Sequence, residues 1–178
     1  MDTTLSNGTI KSGSYSIKDM TLGWATKTKI ISRKTKKRYS LEEIESLMMF
    51  VDLDTLFYKI IQTKKYIHSK KTSMKLGQVG FRGNNIELFY VSEYIYQGGA
   101  ITPITTIHSY HHRCLKKKND EIAYNMGYMY GAGQRGIKKR VREFFTDYLK
   151  LVQNVATDEI SKNETMEIAM FYENNCGK

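Results

Sequence analysis

The period of polar and apolar positions changes several times along the chain, and each change marks a predicted element. Residues 1–14 are small and polar with no period, which predicts a flexible N-terminal arm ahead of a single domain at 15–178. In the segment 15–32, Thr, Ile and aromatic residues alternate with lysine, which favours one or two strands. No internal repeat and no proline-rich linker divides the chain.

A helix is predicted to begin at Ser40. Ser40 and Glu43 have the spacing of a capping box, and the residues around them are acidic, as in the first turn of many helices. Apolar residues then recur at helical spacing over 44–61. One long helix fits this pattern, and so do two short helices with Asp52 or Asp54 capping the second.

Beyond residue 73 the period drops to two. Residues 74–81, 86–96 and 100–112 alternate between turns that contain glycine or asparagine, so we predict a three-stranded antiparallel meander. Pro103 is then expected at a strand start or on a sheet edge. A similar alternation over 122–130 predicts one further strand.

The last third of the chain has the clearest helical stripe. Its members are Ile137, Val141, Phe144, Tyr148, Leu151, Val152 and Val155, with basic residues on the opposite side. Residues 166–172 alternate again and predict a closing strand. The expected fold is therefore α+β: an antiparallel sheet of about five or six strands with two main helices on one face.

The excess of basic over acidic residues indicates which class of partner the protein binds. The 178 residues include 28 Lys+Arg and 18 Asp+Glu, and the net charge is +10. The longest apolar run is five residues, so we expect neither a membrane span nor a signal peptide. Five acidic residues and two lysines from Asp158 onward give this tail a charge of −3, which leaves +13 on residues 1–157. Such a chain is expected to bind polyanions.

The basic residues concentrate in four clusters along the sequence. A field of this kind attracts nucleic-acid phosphates or anionic lipid headgroups with little sequence specificity. The candidate anion-binding residues are Lys27, Lys29, Arg33, Lys34, Lys36, Lys37, Arg38, Lys64, Lys65, Lys70, Lys71, Arg113, Lys116, Lys117, Lys118, Arg135, Lys138, Lys139 and Arg140. Nearby aromatic residues, Tyr66 among them, could stack on bases or rest in lipid headgroups, although aromatic strand residues are more often core.

The segment 131–136 matches the G-x-G-x-x-G pattern of dinucleotide-binding proteins. No apolar strand ending in an acidic residue follows it, and the predicted strands come in a row without alternating helices. We therefore interpret the segment as a turn between a strand and a helix. An alternative is a phosphate site at the helix N-terminus beside Arg135, Lys138 and Lys139.

His108, His111, His112 and Cys114 form a second candidate cluster. Zinc usually takes four ligands, and no second ligand pair follows elsewhere, so the favoured interpretation is imidazoles on a sheet edge. A pH-sensitive surface is the alternative. No G-x-S-x-G motif or other nucleophile pattern is present. We expect no enzyme activity, no cofactor and no metal.

The order of predicted elements resembles that of a rhabdovirus matrix protein, in particular the plant-infecting members. The features shared with that family are the arm at 1–14, the basic patch at 27–38, the helix from Ser40, the meander over 74–112 and the basic amphipathic helix from Ile137. The resemblance covers most of the chain but includes no diagnostic motif. It implies a structural protein that condenses a helical ribonucleoprotein, lines the inner face of the envelope and self-associates. The P-P-x-Y budding motif of animal members is absent, since Pro103 is the only proline.

Two functions stay open at this point. The first is a viral matrix protein that bridges a nucleoprotein–RNA complex and the inner face of an anionic membrane, located in the virion and the host cytoplasm. It would self-associate head-to-tail through its arm or its acidic tail. The basic run 33–38 also resembles a nuclear import signal. The alternative is a small basic regulatory protein that binds nucleic acid.

Overall fold

The structure is a computed structural model that describes residues 1–22, 25–98, 105–128 and 136–176; within these ranges, the side chains of 19–22, 25–27, 94–98 and 105–109 are not described. The fold class is α+β, as predicted. The strands are β1 (Asp2–Leu5), β2 (Ile10–Ser12), β3 (Tyr15–Leu22), β4 (Ala25–Ser32), β5 (Arg38–Tyr39), β6 (Ile44–Val51), β7 (Asp54–Lys64), β8 (Ser73–Arg82), β9 (Ile86–Gly98), β10 (Thr105–Lys117) and β11 (Ile122–Tyr128). The helices are α1 (Ile137–Phe144), α2 (Leu149–Ala156) and α3 (Thr165–Asn175).

The strands form two sheets. The larger sheet has the order β11-β10-β9-β8-β7-β6-β1-β2, and the smaller one has the order β3-β4-β5. In addition, β11 pairs with β7 in parallel, with Ile122 opposite Gln62 and Tyr124 opposite Lys64. This pairing closes β7–β11 into a five-strand ring. Because each strand reverses the direction of the one before it, an odd number of strands closes with one parallel pair.

The chain divides into two compact units, where the sequence predicted one domain over 15–178. The first unit comprises Met1–Ile60, Met74–Gln78 and Ser92–Tyr110, and the second comprises Ile61–Ser73, Val79–Val91 and His111–Lys178. The long strands β7–β10 therefore contribute one part of their length to each unit. Periodicity along the sequence gives no sign of this division, because it falls inside continuous strands.

The first unit has a core formed by Ile30, Tyr39, Ile44 and Leu47. Ile30 and Tyr39 are cross-strand partners in the small sheet, so one face of that sheet packs into this core. The prediction of strands over 15–32 is confirmed by β3 and β4.

The second unit buries both sides of the five-strand ring. The interior is filled by side chains from all five strands: Ile61, Val79, Phe89, Val91, Cys114 and Ala123. The neighbouring positions Leu88, Leu115 and Tyr124 point outward and pack with the helices. Successive residues of a strand point to opposite faces of the sheet. Each strand of the ring can therefore contribute side chains both to the ring interior and to the core between the ring and the helices.

The first 14 residues differ from the predicted flexible arm. β1 pairs with β2 and also with β6, where Thr3 lies opposite Leu47. Thr3 is fully buried, and Met1 and Leu5 pack against the core of the first unit. The strand β1 is stabilised by its pairing with β6, which lies about forty residues further along the chain. The polar sequence of residues 1–14 therefore shows no local pattern from which a strand could be predicted.

The predicted helix from Ser40 is wrong. The capping contact does form, since the Ser40 N–H donates to Glu43 Oε2 at 2.8 Å, but it closes only a short 3₁₀ turn, Leu41–Glu43. β6 and β7 follow as a hairpin in which Val51 pairs with Asp54. Asp52 has a φ of 53°, the left-handed conformation that such a two-residue turn requires.

Two predictions near the C-terminus also need correction. The single helix from Ile137 is interrupted after Phe144 and continues as α2. The strand predicted over 166–172 is α3 instead, where Ile168, Ala169 and Tyr172 are buried at helical spacing. By contrast, the meander is confirmed by β8, β9 and the described part of its third strand, which is β10. The strand predicted over 122–130 is confirmed by β11 as far as Tyr128, and residues 129–130 lie outside the described ranges. Pro103 lies outside the described residues.

Lys117, Asp147 and Tyr172 link the ring to the helices of the second unit. Lys117 Nζ donates to Asp147 Oδ1 at 2.6 Å, and the Tyr172 hydroxyl donates to Asp147 Oδ2 at 2.6 Å. Burial alone would raise the pKa of Asp147, but these two hydrogen bonds outweigh it and hold the pKa below its ordinary value of 3.8. Burial and the contact with Asp147 raise the pKa of Tyr172.

We expect Asp147 to make stability depend on pH under acidic conditions. Because its pKa is lower in the folded state, its contribution is present above pH 3.8 and is lost as the pH falls through the folded-state value. Urea unfolding of the parent should show a loss of stability between pH 5 and about pH 2.5. The Asp147→Asn variant should show a smaller loss over that interval; equal losses would contradict this role.

Candidate anion-binding surface

The small sheet carries cations on the face opposite its core. Lys18 pairs directly with Lys29, and Arg38 pairs with Ile31, which lies two residues beyond Lys29 in β4. Residues paired across strands, or two apart along one strand, share a face. Lys18, Lys29 and Arg38 therefore lie on one face, while the buried Ile30 and Tyr39 lie on the other.

The turn between β4 and β5 extends this cationic face. Arg33, Lys34, Lys36 and Lys37 are all exposed there. Lys37 belongs to the turn and not to the sheet face, since its Nζ lies 4.9 Å from the centre of the Tyr39 ring on the core side. The turn is ordered, because the Lys36 N–H donates to Ser32 O and the Ser32 N–H donates to Lys37 O, both at 2.9 Å. We call the seven residues Lys18, Lys29, Arg33, Lys34, Lys36, Lys37 and Arg38 the basic face.

The basic face is electrostatically unbalanced. Among the described residues, none of its seven side chains lies within 4.0 Å of a carboxylate. Like charges directly opposite each other in a sheet, such as Lys18 and Lys29, are destabilising. Lys36 also has a φ of 58°, which costs a non-glycine residue about 1–2 kcal/mol. A bound anion would offset the repulsion.

Four of the predicted basic residues in the second unit have carboxylate partners instead. Lys116 pairs with Glu87 at 3.1 Å, and Lys138 pairs with Asp158 at 2.7 Å. Lys117 pairs with Asp147, while Lys139 lies 3.8 Å from Glu143. These four lysines therefore have part of their charge balanced within the second unit, and their place in an anion-binding surface stays a prediction. Lys118 is exposed, and its backbone N–H donates to Asn85 O at 2.9 Å.

Arg113 is the clearest correction to the predicted site. It is only 6% exposed, and its guanidinium donates to the carbonyl oxygen of Asn163 and to Thr165 Oγ1. Both acceptors lie at the start of α3, so Arg113 joins β10 to that helix. A residue with this burial cannot present its charge to an external polyanion.

A third group of predicted residues lies around the loop between β7 and β8. Lys65, Lys70 and Lys71 are exposed, and Lys64 is half-buried. Lys65 Nζ lies 5.5 Å from the centre of the Tyr66 ring, and the Arg140 guanidinium lies 5.3 Å from it. This group combines cations with an exposed aromatic ring, which the basic face does not.

Of the predicted histidine and cysteine cluster, the His108 side chain lies outside the described residues. Cys114 lies inside the five-strand ring, and His112 Nδ1 is 3.0 Å from Asn125 Nδ2. The register shift between β10 and β11 leaves Met126 as an extra residue of β11. β10 itself alternates regularly, so Cys114 faces the interior while Arg113 and Leu115 face the helices. Over the part of the chain that the structure describes, no three His, Cys, Asp or Glu residues are grouped as metal ligands.

Two parts of the predicted site lie outside the described residues: Arg135, with most of the G-x-G-x-x-G segment, and the Lys27 side chain. Gly136, the last residue of that segment, precedes α1 with a φ of 88°. The sequence interpretation missed Lys18, whose signal is recognisable only once β3 and β4 are placed in register.

Comparisons of this chain with protein family models, with curated proteins and with solved structures find no match. Within the described ranges, no helix is both long enough and apolar enough to cross a membrane.

Proposed function

We propose that this protein is a structural adaptor of the matrix type, and that its basic face binds the surface of an anionic membrane. The observation that carries this proposal is the basic face itself: seven cations lie on one sheet face and its turn, with no carboxylate partner among the described residues. Basic residues near an anionic leaflet contribute about 1 kcal/mol each.

An apolar hairpin end in the same unit favours a membrane over other polyanions. Phe50, Val51 and Leu53, at the turn between β6 and β7, are exposed large apolar residues. Apolar side chains gain free energy where they enter the region below lipid headgroups, whereas a phosphate backbone offers them no such region. Asp52 and Asp54 beside them limit how deeply this turn would insert.

The wider matrix role belongs to the same proposal. The protein would bind a nucleoprotein–RNA complex as well as the membrane, act in the virion and the host cytoplasm, and self-associate. Two features of the original resemblance have changed, since the arm is paired in β1 and β2 and the helix from Ser40 is a hairpin. Head-to-tail self-association therefore remains a prediction without the free arm that we expected to mediate it.

We expect the Lys34→Ala/Lys36→Ala/Lys37→Ala/Arg38→Ala variant to lose membrane partitioning by about two orders of magnitude or more. Four cations at about 1 kcal/mol each account for a loss of this size. The measurement is flotation with vesicles that contain phosphatidylserine, at about 0.1 M salt. Partitioning of the parent should also fall as salt is raised, because ions screen the attraction.

A matched variant separates a specific surface from net charge alone. Lys118, Arg142, Lys150 and Lys162 lie in the second unit and are exposed or half-buried, so their replacement by alanine removes the same four charges. This control should retain most of the partitioning. Equal losses in the two variants, or none in the basic-face variant, would contradict the proposal. If the parent itself does not float with the vesicles but binds RNA, the alternative of a small regulatory protein that binds nucleic acid is favoured.

A further inference from the structure

Tyr66 is an exposed aromatic residue on a loop that is fixed on both sides. The residue is 55% exposed. On one side, the Arg140 guanidinium donates a hydrogen bond to Lys65 O. On the other, the Ile67 side chain packs against the core of the second unit. The position of Tyr66 is therefore set by contacts of its two neighbours.

Arg140 is held in place beside this ring. Its guanidinium lies 5.3 Å from the centre of Tyr66 and 5.7 Å from the centre of Tyr124, and it also donates to Asn125 O. Arg140 thus supplies a fixed positive charge at the ring. Burial raises the pKa of Tyr124 to about 12, so that hydroxyl stays protonated at neutral pH.

Exposed lysines lie on the same loop as the Tyr66 ring. Lys65, Lys70 and Lys71 are exposed on the same loop, and none has a carboxylate within 4.0 Å among the described residues. A solvent-exposed ring gains little from this arrangement in the free protein. An aromatic ring held in place, with exposed lysines on the same loop, provides the two contacts that single-stranded nucleic acid needs: stacking for a base and charge for its phosphates.

We propose that Tyr66 and its neighbouring cations form a binding site for single-stranded nucleic acid. One base stacks on the Tyr66 ring, and the adjacent phosphates contact Lys65, Lys70 and Lys71. Stacking on an aromatic ring requires an unpaired base, so duplexes should bind through charge alone. This site would supply the nucleic-acid contact of the proposed adaptor. The choice of nucleic acid as the partner rests on that proposed function, whereas the location of the site rests on the contacts of Tyr66.

The test compares a single-stranded oligouridine of about ten nucleotides with an abasic strand of the same length and charge. Tyr66→Ala should weaken binding of the oligouridine by about 5-fold to 150-fold, measured by fluorescence anisotropy, because stacking contributes about 1–3 kcal/mol per base. Its binding of the abasic strand should be unchanged. Tyr66→Phe keeps the ring and should bind both strands like the parent.

Phe57→Ala is the matched control, because Phe57 is also an exposed aromatic residue, at 45%, but lies in the first unit. It should leave oligouridine binding unchanged. The proposal would be overturned if Tyr66→Ala weakened binding of the oligouridine and of the abasic strand equally. It would also be overturned if Tyr66→Ala partitioned less to vesicles but bound the oligouridine like the parent. The basic-face variant distinguishes the two sites: failure of the membrane proposal shows in flotation, and failure of this one shows only in base-dependent binding.

Discussion

We expect the Phe145→Ala variant to lose about 3–5 kcal/mol of the free energy of unfolding, the cost of removing a large aromatic side chain from a packed core. Phe145 is fully buried at the interruption between α1 and α2. Its ring centre lies 4.9 Å from that of Phe144 and 5.0 Å from that of Tyr172. Small domains have a total stability of only about 5–15 kcal/mol, so this variant should be close to unfolding.

Leu149→Ala provides the control, because Leu149 lies just beyond the same interruption but is 75% exposed. Its replacement should change the free energy of unfolding by less than about 0.5 kcal/mol. The measurement is urea unfolding followed by circular dichroism. If both variants unfold at the same urea concentration, the interruption does not direct Phe145 into the core, and a continuous helix becomes the better description.

The interruption itself explains why the sequence predicted one helix. The stripe from Ile137 to Val155 is helical in spacing on both sides of it, and most of its residues are buried. Phe144 and Phe145 are adjacent, and a straight helix would turn their side chains about 100° apart. Ending α1 there allows both rings to enter one core. This benefit depends on Tyr172 of α3 and is absent from the local pattern.

The segment 44–61 shows the reverse problem, a strong local signal that tertiary structure overrides. Its apolar residues are so dense that they match both a helical and an alternating period. The aromatic and β-branched residues among them, Phe57, Tyr58, Ile60 and Ile61, favour strands. The capping contact at Ser40 formed nonetheless, but it is local and could not extend a helix against the pairing of β6 with β7.

The alternating strands were easier to predict because their turns are local. Asn84 and Asn85 mark the turn between β8 and β9, and both backbone N–H groups donate to the carboxylate of Glu173. These bonds outweigh burial and the pKa of Glu173 is lowered. The turn was therefore recognisable from its sequence. Its partner on α3 was not, because Glu173 lies almost ninety residues further along the chain.

The candidate site was only partly predictable for a similar reason. Runs of lysine and arginine show where positive charge lies along the sequence but not which charges find acidic partners. Lys116 and Lys138 are paired by Glu87 and Asp158, each about twenty or more residues away in sequence. The run 33–38 keeps its charge free because it forms an exposed turn. Both kinds of run look alike before folding.

We expect Arg113→Ala to lower the free energy of unfolding by about 3 kcal/mol and to leave membrane partitioning of the folded protein unchanged. The substitution leaves the Asn163 carbonyl and Thr165 Oγ1 without the guanidinium that donates to them. A buried acceptor left without a donor costs about 1–3 kcal/mol. Thr165 is itself only 3% exposed, so water cannot readily replace the lost donor there.

Arg142→Ala is the matched control for this last experiment, because Arg142 is an exposed arginine in the same unit and its loss changes the charge equally. It should unfold at nearly the urea concentration of the parent. If Arg113→Ala also unfolds there, its two hydrogen bonds contribute little to stability. If Arg113→Ala remains stable and floats as poorly as the basic-face variant, then Arg113 is a membrane-binding residue after all. The expected combination, lower stability with normal flotation below the unfolding transition, assigns Arg113 to the connection between β10 and α3.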